Sequence, residues 1–190
     1  MAKTSGGNRG GILQESGLSY KSIKGVESII RKQTTEYAAV FNSSGDMVVF
    51  RQGDNDQVNF TAEELSKMAN AVVTHNHPFG NAGITKIGSS FSKEDLSLAV
   101  YTNAKEIRAV SNNYTFSMKR PKKGWGVSYK DAKKELNNIQ KDVSKRLNHY
   151  RDNYKGRRSV ANSRANILEP HLISKEAAKL FGWKYTKTIR

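Results

Sequence analysis

Residues Asn70 to Gly80 read NAVVTHNHPFG, a short apolar run that ends in two histidines one residue apart. Side chains alternate along a strand with period two, so an H-x-H pair at a strand tip sends both imidazoles to one face. Two imidazoles on one face are half of a metal site. The same run marks a strand, AVVTH, and the rest of the chain can be placed by working outward from it.

Upstream, TAEELSKMANA (Thr61 to Ala71) carries Thr61 as N-cap with Glu64 three residues on, a capping-box pattern, and Leu65 and Met68 share one face. A helix is therefore expected to feed directly into the strand. Before it, TEYAAVFNSSGDMVVFRQG (Thr35 to Gly53) reads as a β-hairpin, with two runs rich in Val, Phe and Tyr around Ser43-Ser44-Gly45-Asp46. SYKSIKGVESIIRKQ (Ser19 to Gln33) has Ile23, Val26, Ile29 and Ile30 at helical spacing and reads as a short amphipathic helix. Residues 1–16 are rich in Gly, Ser and Asn and are expected to be a flexible N-terminus.

Downstream comes a glycine-rich loop, PFGNAGITKIGSS, then a helix in FSKEDLSLAVYTNA capped by Ser92, then strands in EIRAVS and YTFSMKR. This order predicts an α+β domain over residues 17–121, a mixed sheet with flanking helices that ends near Pro121. From Lys130 the pattern changes to one long helix, with Ala132, Leu136, Ile139, Val143, Leu147 and Tyr150 recurring every three or four residues among Lys and Arg. YKGRRSVANSRAN is read as a basic loop, SKEAAKLFGWKY as a last short helix stopped by Gly182, and KYTKTIR as a tail. Residues 122–190 thus form a basic helical C-terminal extension.

Charge is distributed as unevenly as the motifs. Met1 to Ser117 holds 12 Lys+Arg against 11 Asp+Glu, whereas Met118 to Arg190 holds 20 against 6, which places +14 of the net +15 in the C-terminal part. A near-neutral folded unit followed by a basic unit points to a polyanion, nucleic acid in the first place, as partner of the extension. Tyr, Trp and Arg interleave with the lysines in GWGVSYK, NHYRDNYKGRR and FGWKY, as stacking combined with phosphate contact requires. Lys155, Arg157 and Arg158 are the nucleic-acid-binding candidates. A hydrophobic fraction of 36% and a mean hydropathy of -0.69 are low for 190 residues, so part of the chain is expected to lie open to solvent.

The absence of cysteine excludes disulfides, Cys-ligated zinc, iron–sulfur clusters and thiol nucleophiles together. Any metal must be held by His, Asp or Glu. No stretch reaches the ~18 apolar residues of a membrane span and the N-terminus has no signal-like apolar region, so a cytoplasmic protein without a membrane partner is expected.

Two histidines do not saturate a divalent ion, and a catalytic zinc usually takes three protein ligands. Asp95, in the first turn of the helix after the loop, is the foremost third ligand, with Glu94 its nearest competitor. His171, after Pro170, and His149, beside Tyr150, read as surface residues.

HNHPFG followed by SKED resembles the H-x-H-P…S-x-x-D signature of the JAB/MPN zinc hydrolases, and HNHP-x-G is most similar to their RadC-like branch. The resemblance covers roughly Thr35 to Met118 and includes an upstream glutamate, Glu36, at the start of the first hairpin strand. It implies a JAB/MPN-like fold in which His75, His77 and Asp95 bind zinc, Glu36 is the general acid/base and Ser92 helps to stabilise an oxyanion. The loop between His77 and Ser92 is longer than in that branch and the spacing from Glu36 to His75 is shorter, with Glu63 and Glu64 as stand-ins for Glu36. The activity implied is hydrolysis of an amide or isopeptide bond in a protein or peptide. The other classes compatible with the residues are a metal-dependent nuclease and a non-catalytic nucleic-acid or virion-associated protein of a phage or mobile element.

Overall fold

A computed structural model describes residues 22–54, 57–78 and 89–190. The flexible N-terminus expected over 1–16, Gly80 and most of the glycine-rich loop lie outside these residues. Ser22 accepts from the Gly25 N–H and opens α1 (Ile23–Ile30), whose Val26, Ile29 and Ile30 are buried. The hairpin follows as β1 (Tyr37–Phe41) and β2 (Met47–Gln52). Its turn is set by Asn42, whose Oδ1 accepts from the N–H groups of Ser44 and Asp46, and by Gly45 at φ 88. Thr61 and Glu64 close the expected capping box on α2 (Ala62–Ser66), which leads into β3 (Val72–Asn76). Ser92 and Asp95 close a second one on α3 (Lys93–Tyr101), ahead of β4 (Glu106–Val110) and β5 (Tyr114–Lys119).

The strands form a six-stranded mixed sheet in the order β2-β1-β3-β4-β5-β6, flanked by helices in an α+β architecture. β3 and β4 are parallel, joined by the crossover that carries α3, and the other neighbours are antiparallel. The sixth strand, β6 (Lys184–Ile189), is the segment read as a tail, so the sheet does not end near Pro121. It pairs along β5 with Tyr185 opposite Met118. Lys184 and Lys187 put charge on this outer strand, which protects an open edge, and the Lys187 ammonium lies 4.0 Å from the centroid of the Tyr114 ring.

The basic segment is helical, but its boundaries differ from the reading. α4 (Tyr129–Asn153) and α5 (Arg158–Phe181) are joined by only Tyr154 to Arg157, and the supposed basic loop is the first half of α5. The misreading has a physical cause. Ala161 and Ala165 are buried at helical spacing with Ile173 and Ala177, and these small side chains let α5 lie close on α4 without an apolar signature. Gly182, at φ 70, stops α5 as expected.

Two cores follow from the alternation of side chains in the sheet. On one face Tyr37, Ala39 and Phe41 pack with Val26 and Ile30 of α1. On the other, Val40, Val73, Ile107 and Phe116 pack with Phe91 and Leu96, and the same cluster takes in Trp125, Leu136, Val143, Ala165, Ile173 and Trp183. The buried cluster therefore crosses residue 121 without a break. Trp125 Nε1 donates to Ala104 O at 3.0 Å and Trp183 Nε1 to Trp125 O at 2.8 Å, which ties the ends of the helical segment to the sheet.

Under α1 the sheet carries an ionic cluster. Arg108 donates through Nε and Nη2 to Glu27 at 2.6 and 3.1 Å and through Nη1 to Glu106 at 2.8 Å, while Thr74 and Ser117 donate to the same carboxylates. Burial alone would lower the Arg108 pKa, but the two carboxylates hold it above its usual value.

Shortening the chain to end at Pro121 removes the partners of Val73, Phe91 and Leu96 and uncovers β5. Residues 1–121 alone are expected to lose the single cooperative thermal transition of the full chain, read by circular dichroism. A cooperative transition in that fragment would show instead that the helical segment is dispensable for the core.

Candidate metal centre

In β3 the side chains of Val73, His75 and His77 share the face toward α3, while Thr74 and Asn76 point to the opposite side. β1 runs antiparallel to β3 with Ala38 opposite His75. Stepping two residues along each chain brings Glu36 opposite His77 on the same face. Asn76, between the two histidines, holds that register. Its Nδ2 donates to Thr35 O at 2.9 Å and its Oδ1 accepts from Tyr37 N at 2.6 Å, so one fully buried amide side chain clamps the peptide groups on both sides of Glu36. From the other strand Glu36 N donates to Asp54 O and Gly53 N donates to Glu36 O.

The functional side chains converge on the wall of a cavity of about 490 Å³. His75 Nε2 and His77 Nε2 lie 2.9 Å apart. Asp95 Oδ1 is 3.4 Å from His75 Nε2, Asp95 Oδ2 is 3.7 Å from His77 Nε2, and Glu36 Oε1 is 3.9 Å from His77 Nε2. Ligand atoms of Glu36, His75 and His77 all fall within 4.8 Å of one another. Glu36 and His75 are buried, and His77 and Asp95 are half-buried.

The tautomers define what this cluster asks for. His77 Nδ1 lies 2.8 Å from Ser89 O, and since a carbonyl only accepts, Nδ1 carries the hydrogen. His75 is likewise hydrogen-bonded to the main chain of Arg108 in the sense that favours an imidazole N–H, and with Nε2 turned to His77 that N–H is Nδ1. Both Nε2 lone pairs then face each other. A shared proton or a bound cation reconciles them, and the nearby carboxylates of Asp95 and Glu36 favour either. Two nitrogens on a tetrahedral zinc, each about 2.0–2.1 Å from the ion, would stand about 3.3 Å apart. The observed 2.9 Å is shorter than this, and the two imidazoles with Glu36 are donors that could hold a metal ion.

The electrostatics agree. Burial alone would lower the His75 pKa, but the carboxylates of Asp95 and Glu36 keep it raised. Burial alone would raise Asp95, yet the two imidazoles hold it well below the usual carboxylate range.

Of the expected residues, Glu36, His75, His77, Ser92 and Asp95 all line this cavity. Asp95 is also the N3 residue of its helix: Oδ2 accepts from Ser92 N and Ser92 Oγ, both at 2.8 Å, which leaves Oδ1 toward His75. Ser92 Oγ accepts from Asp95 N in return. Glu94 sits on the rim with an exposed side chain. Glu64 is engaged by Arg51 and the α2 cap, and Glu63 by Lys67, so neither stand-in faces the site. Lys155 and Arg157 lie in the α4–α5 connection, and Arg158 opens α5 with its guanidinium 3.1 Å from Asp152. His149 is exposed, as expected.

His171 is not the surface residue it was read as. It is half-buried, with Nδ1 2.7 Å from the Tyr185 hydroxyl. Burial, then Lys187 and Lys175, lower its pKa, while burial pushes the Tyr185 phenol up to about 12. Ser174 Oγ donates to Pro170 O, so buried Ser90 donates to Ser174 Oγ at 3.2 Å and accepts from the Tyr185 hydroxyl at 2.7 Å. This strut from α5 and β6 holds residues 89–91, where Ser89 orients His77 and buried Phe91 stands beside His75 with ring centroids 6.4 Å apart. Asn76 and Ser90 had no signal in the sequence, because Asn76 meets Tyr37 across 39 residues and Ser90 meets Tyr185 across 95.

Comparison of the chain with protein-family models, with curated proteins and with solved structures gives no match.

Tyr185→Phe keeps the ring against Phe91 but removes the hydroxyl that pins Ser90. A hydrogen bond that orients a histidine ligand through its other ring nitrogen is worth roughly tenfold in metal affinity. Zinc affinity, measured by competition with a chromogenic chelator, is expected to fall by about that factor while the thermal midpoint moves by only a few degrees. Unchanged affinity would show that Ser89 is held without the strut.

Proposed function

We propose that the chain is a zinc-dependent hydrolase of the JAB type, acting on an amide or isopeptide bond in a protein or peptide. The observation that carries this reading is the pair of facing Nε2 atoms with two carboxylates beside them in one cavity. His75, His77 and Asp95 would hold the ion, and the zinc would supply Lewis acidity that acidifies water and polarises a carbonyl. Glu36, clamped by Asn76 and buried within 3.9 Å of His77, is placed to take a proton and pass it to a leaving amine. Ser92 Oγ donates to Asp95 Oδ2 and so orients the third ligand. To serve as an oxyanion donor it would have to turn from that carboxylate into the cavity.

Among the described residues no Lys or Arg lines the cavity, while Glu36, Glu94 and Asp95 do. A phosphodiester needs cationic neighbours for its negative charge, and a neutral amide does not. This ranks amide hydrolysis above nuclease activity. Among the described residues no helix is long and apolar enough to cross a membrane, which is compatible with the cytoplasmic location we propose.

Glu36→Gln is expected to retain about one equivalent of zinc by elemental analysis and to lose turnover of an amide substrate by roughly 10²–10⁴-fold, the usual worth of a positioned general base. Loss of zinc in Glu36→Gln with retention in Asp95→Asn would exchange the two roles and make Glu36 the third ligand.

A second reading concerns the outer surface of the helical hairpin. Lys155, Arg157, Arg158 and Arg164 are exposed around the α4–α5 turn, with the Arg164 guanidinium 5.7 Å from the centroid of the Tyr154 ring and Tyr150 packed against that ring. We propose that this tip binds a nucleic-acid backbone. Reversing Lys155, Arg157 and Arg158 to Glu leaves every buried position untouched. It is expected to abolish retention of a single-stranded oligonucleotide at about 0.1 M salt and to flatten the salt dependence of binding. An unchanged salt slope in that triple variant would exclude the tip as the contact.

A further inference from the structure

Along α3 the cavity at the metal centre is lined by Ser92, Glu94, Asp95 and Leu98. A second groove of about 360 Å³ begins at Glu94 and Leu98, which line both, and runs between α3 and the first half of α4. At its far end Tyr101 and Tyr129 meet with ring centroids 5.1 Å apart, and they are 59% and 41% exposed, an aromatic pair left open to solvent where α3 ends and α4 begins. Lys133 holds its ammonium 5.9 Å from the centroid of the Tyr129 ring and belongs to no ion pair among the described residues. Lys93, at the near end, is fixed by Asn137 Oδ1 at 2.9 Å and faces Glu94 at 3.8 Å.

We infer that this groove seats the polypeptide chain of the substrate on one side of the scissile bond, with an aromatic or large apolar side chain against Tyr101 and Tyr129 and an acidic one beside it at Lys133. The inference rests on the hydrolase reading for the word substrate, and on the groove alone for the polypeptide. Lengths agree with it. The eight residue steps from Lys93 to Tyr101 rise about 12 Å, which an extended chain covers in about four residues. Charge also selects the occupant. Glu94 on the shared rim, with Asp95 and Glu36 beyond it, opposes a string of phosphates and offsets Lys93, whereas a chain whose acidic residues lie only at the Lys133 end meets a cation there and is neutral along the rim. The two rings are tilted at 58° to one another, which makes a notch for one side chain rather than a platform for stacked bases.

The test uses the full-length chain treated with EDTA, so that neither turnover nor a carboxylate on the metal enters. The probe is acetyl-Gly-Phe-Asp-Glu-Gly-amide, the controls the same peptide with Lys-Lys in place of Asp-Glu and the oligonucleotide dT5, all followed by two-dimensional NMR. The expected result is saturable binding with Kd of about 1 mM or tighter, reported by resonances of Tyr101, Tyr129 and Lys133. Affinity should fall about tenfold for the Lys-Lys peptide and for the double variant Tyr101→Ala, Tyr129→Ala, whose exposed positions leave the core intact. Three outcomes overturn the inference: no saturation by about 10 mM, unchanged affinity in the double tyrosine variant, or tighter binding of dT5 than of the acidic peptide. The hydrolase reading is separated by a second measurement on the zinc-loaded protein. Peptide binding in the groove without cleavage of any amide substrate supports the groove and removes the hydrolase. Amide cleavage with kcat/KM unaltered in the double tyrosine variant keeps the hydrolase and removes the groove.

Discussion

A single side chain, Asn76, carries the constraint on which the site depends. A strand delivers alternate residues to opposite faces, so His75 and His77 could be supplied to one side of the sheet only with a residue between them on the other. That residue is an amide, which can donate and accept at once, and it does both to the backbone of residues 35 and 37. A leucine in its place would pack but would leave Tyr37 N–H and Thr35 C=O buried without these partners, a cost of about 1–3 kcal/mol for each unsatisfied group. It would also free the peptide that carries Glu36. The order His, Asn, His thus places two imidazoles on one face and fixes a carboxylate opposite them from a strand nearly 40 residues away.

The opposite face of the sheet stiffens the same strand by different means. Thr74 donates to Glu27 of α1, Glu27 is held by Arg108 of β4, and Arg108 also reaches Glu106. Glu27 and Glu106 are buried and Arg108 is half-buried, and removing Arg108 would leave the two buried carboxylates without their shared cation. The value of this network is positional more than energetic, because a hydrophobic replacement of matched shape would be as stable. With Asn76 and Thr74 both fixed from below, the histidines above have little freedom in the strand that carries them.

The inner part of this design was legible in the sequence and the outer part was not. Strand, caps and hairpin could be read from Val72–His77, from Thr61 with Glu64, from Ser92 with Asp95 and from the turn at Gly45, because each depends on residues within about five positions. The pairing of His75 with His77 followed from strand alternation and Asp95 from a helix start, both local rules, whereas Glu36 was named only through the resemblance to the JAB/MPN signature. The first half of α5 was hidden because its buried residues are Ala161 and Ala165, which leave no hydrophobic period against exposed Arg and Asn. β6 was hidden because alternation of Lys, Tyr and Thr on an edge strand looks like a soluble tail until a partner strand is known. His171 was misplaced for the same reason: Tyr185, which buries it, comes from that unrecognised strand.

The basic segment therefore has two sides that must be reasoned about separately. Inward, Leu136, Val143, Ala165, Ile173 and Trp183 belong to the core that carries His75, and Tyr185 reaches Ser90 beside His77. Outward, the lysines and arginines that supply +14 of the net charge stand in water. Burial fixes where the helices lie, and repulsion among their outer charges opposes it, since charge of one sign destabilises a compact state. A polyanion on that surface would relieve the repulsion and so stabilise the segment that supports the metal ligands. Were both proposed ligands to bind, occupancy of the outer surface and order at the metal centre would be linked through one packed core.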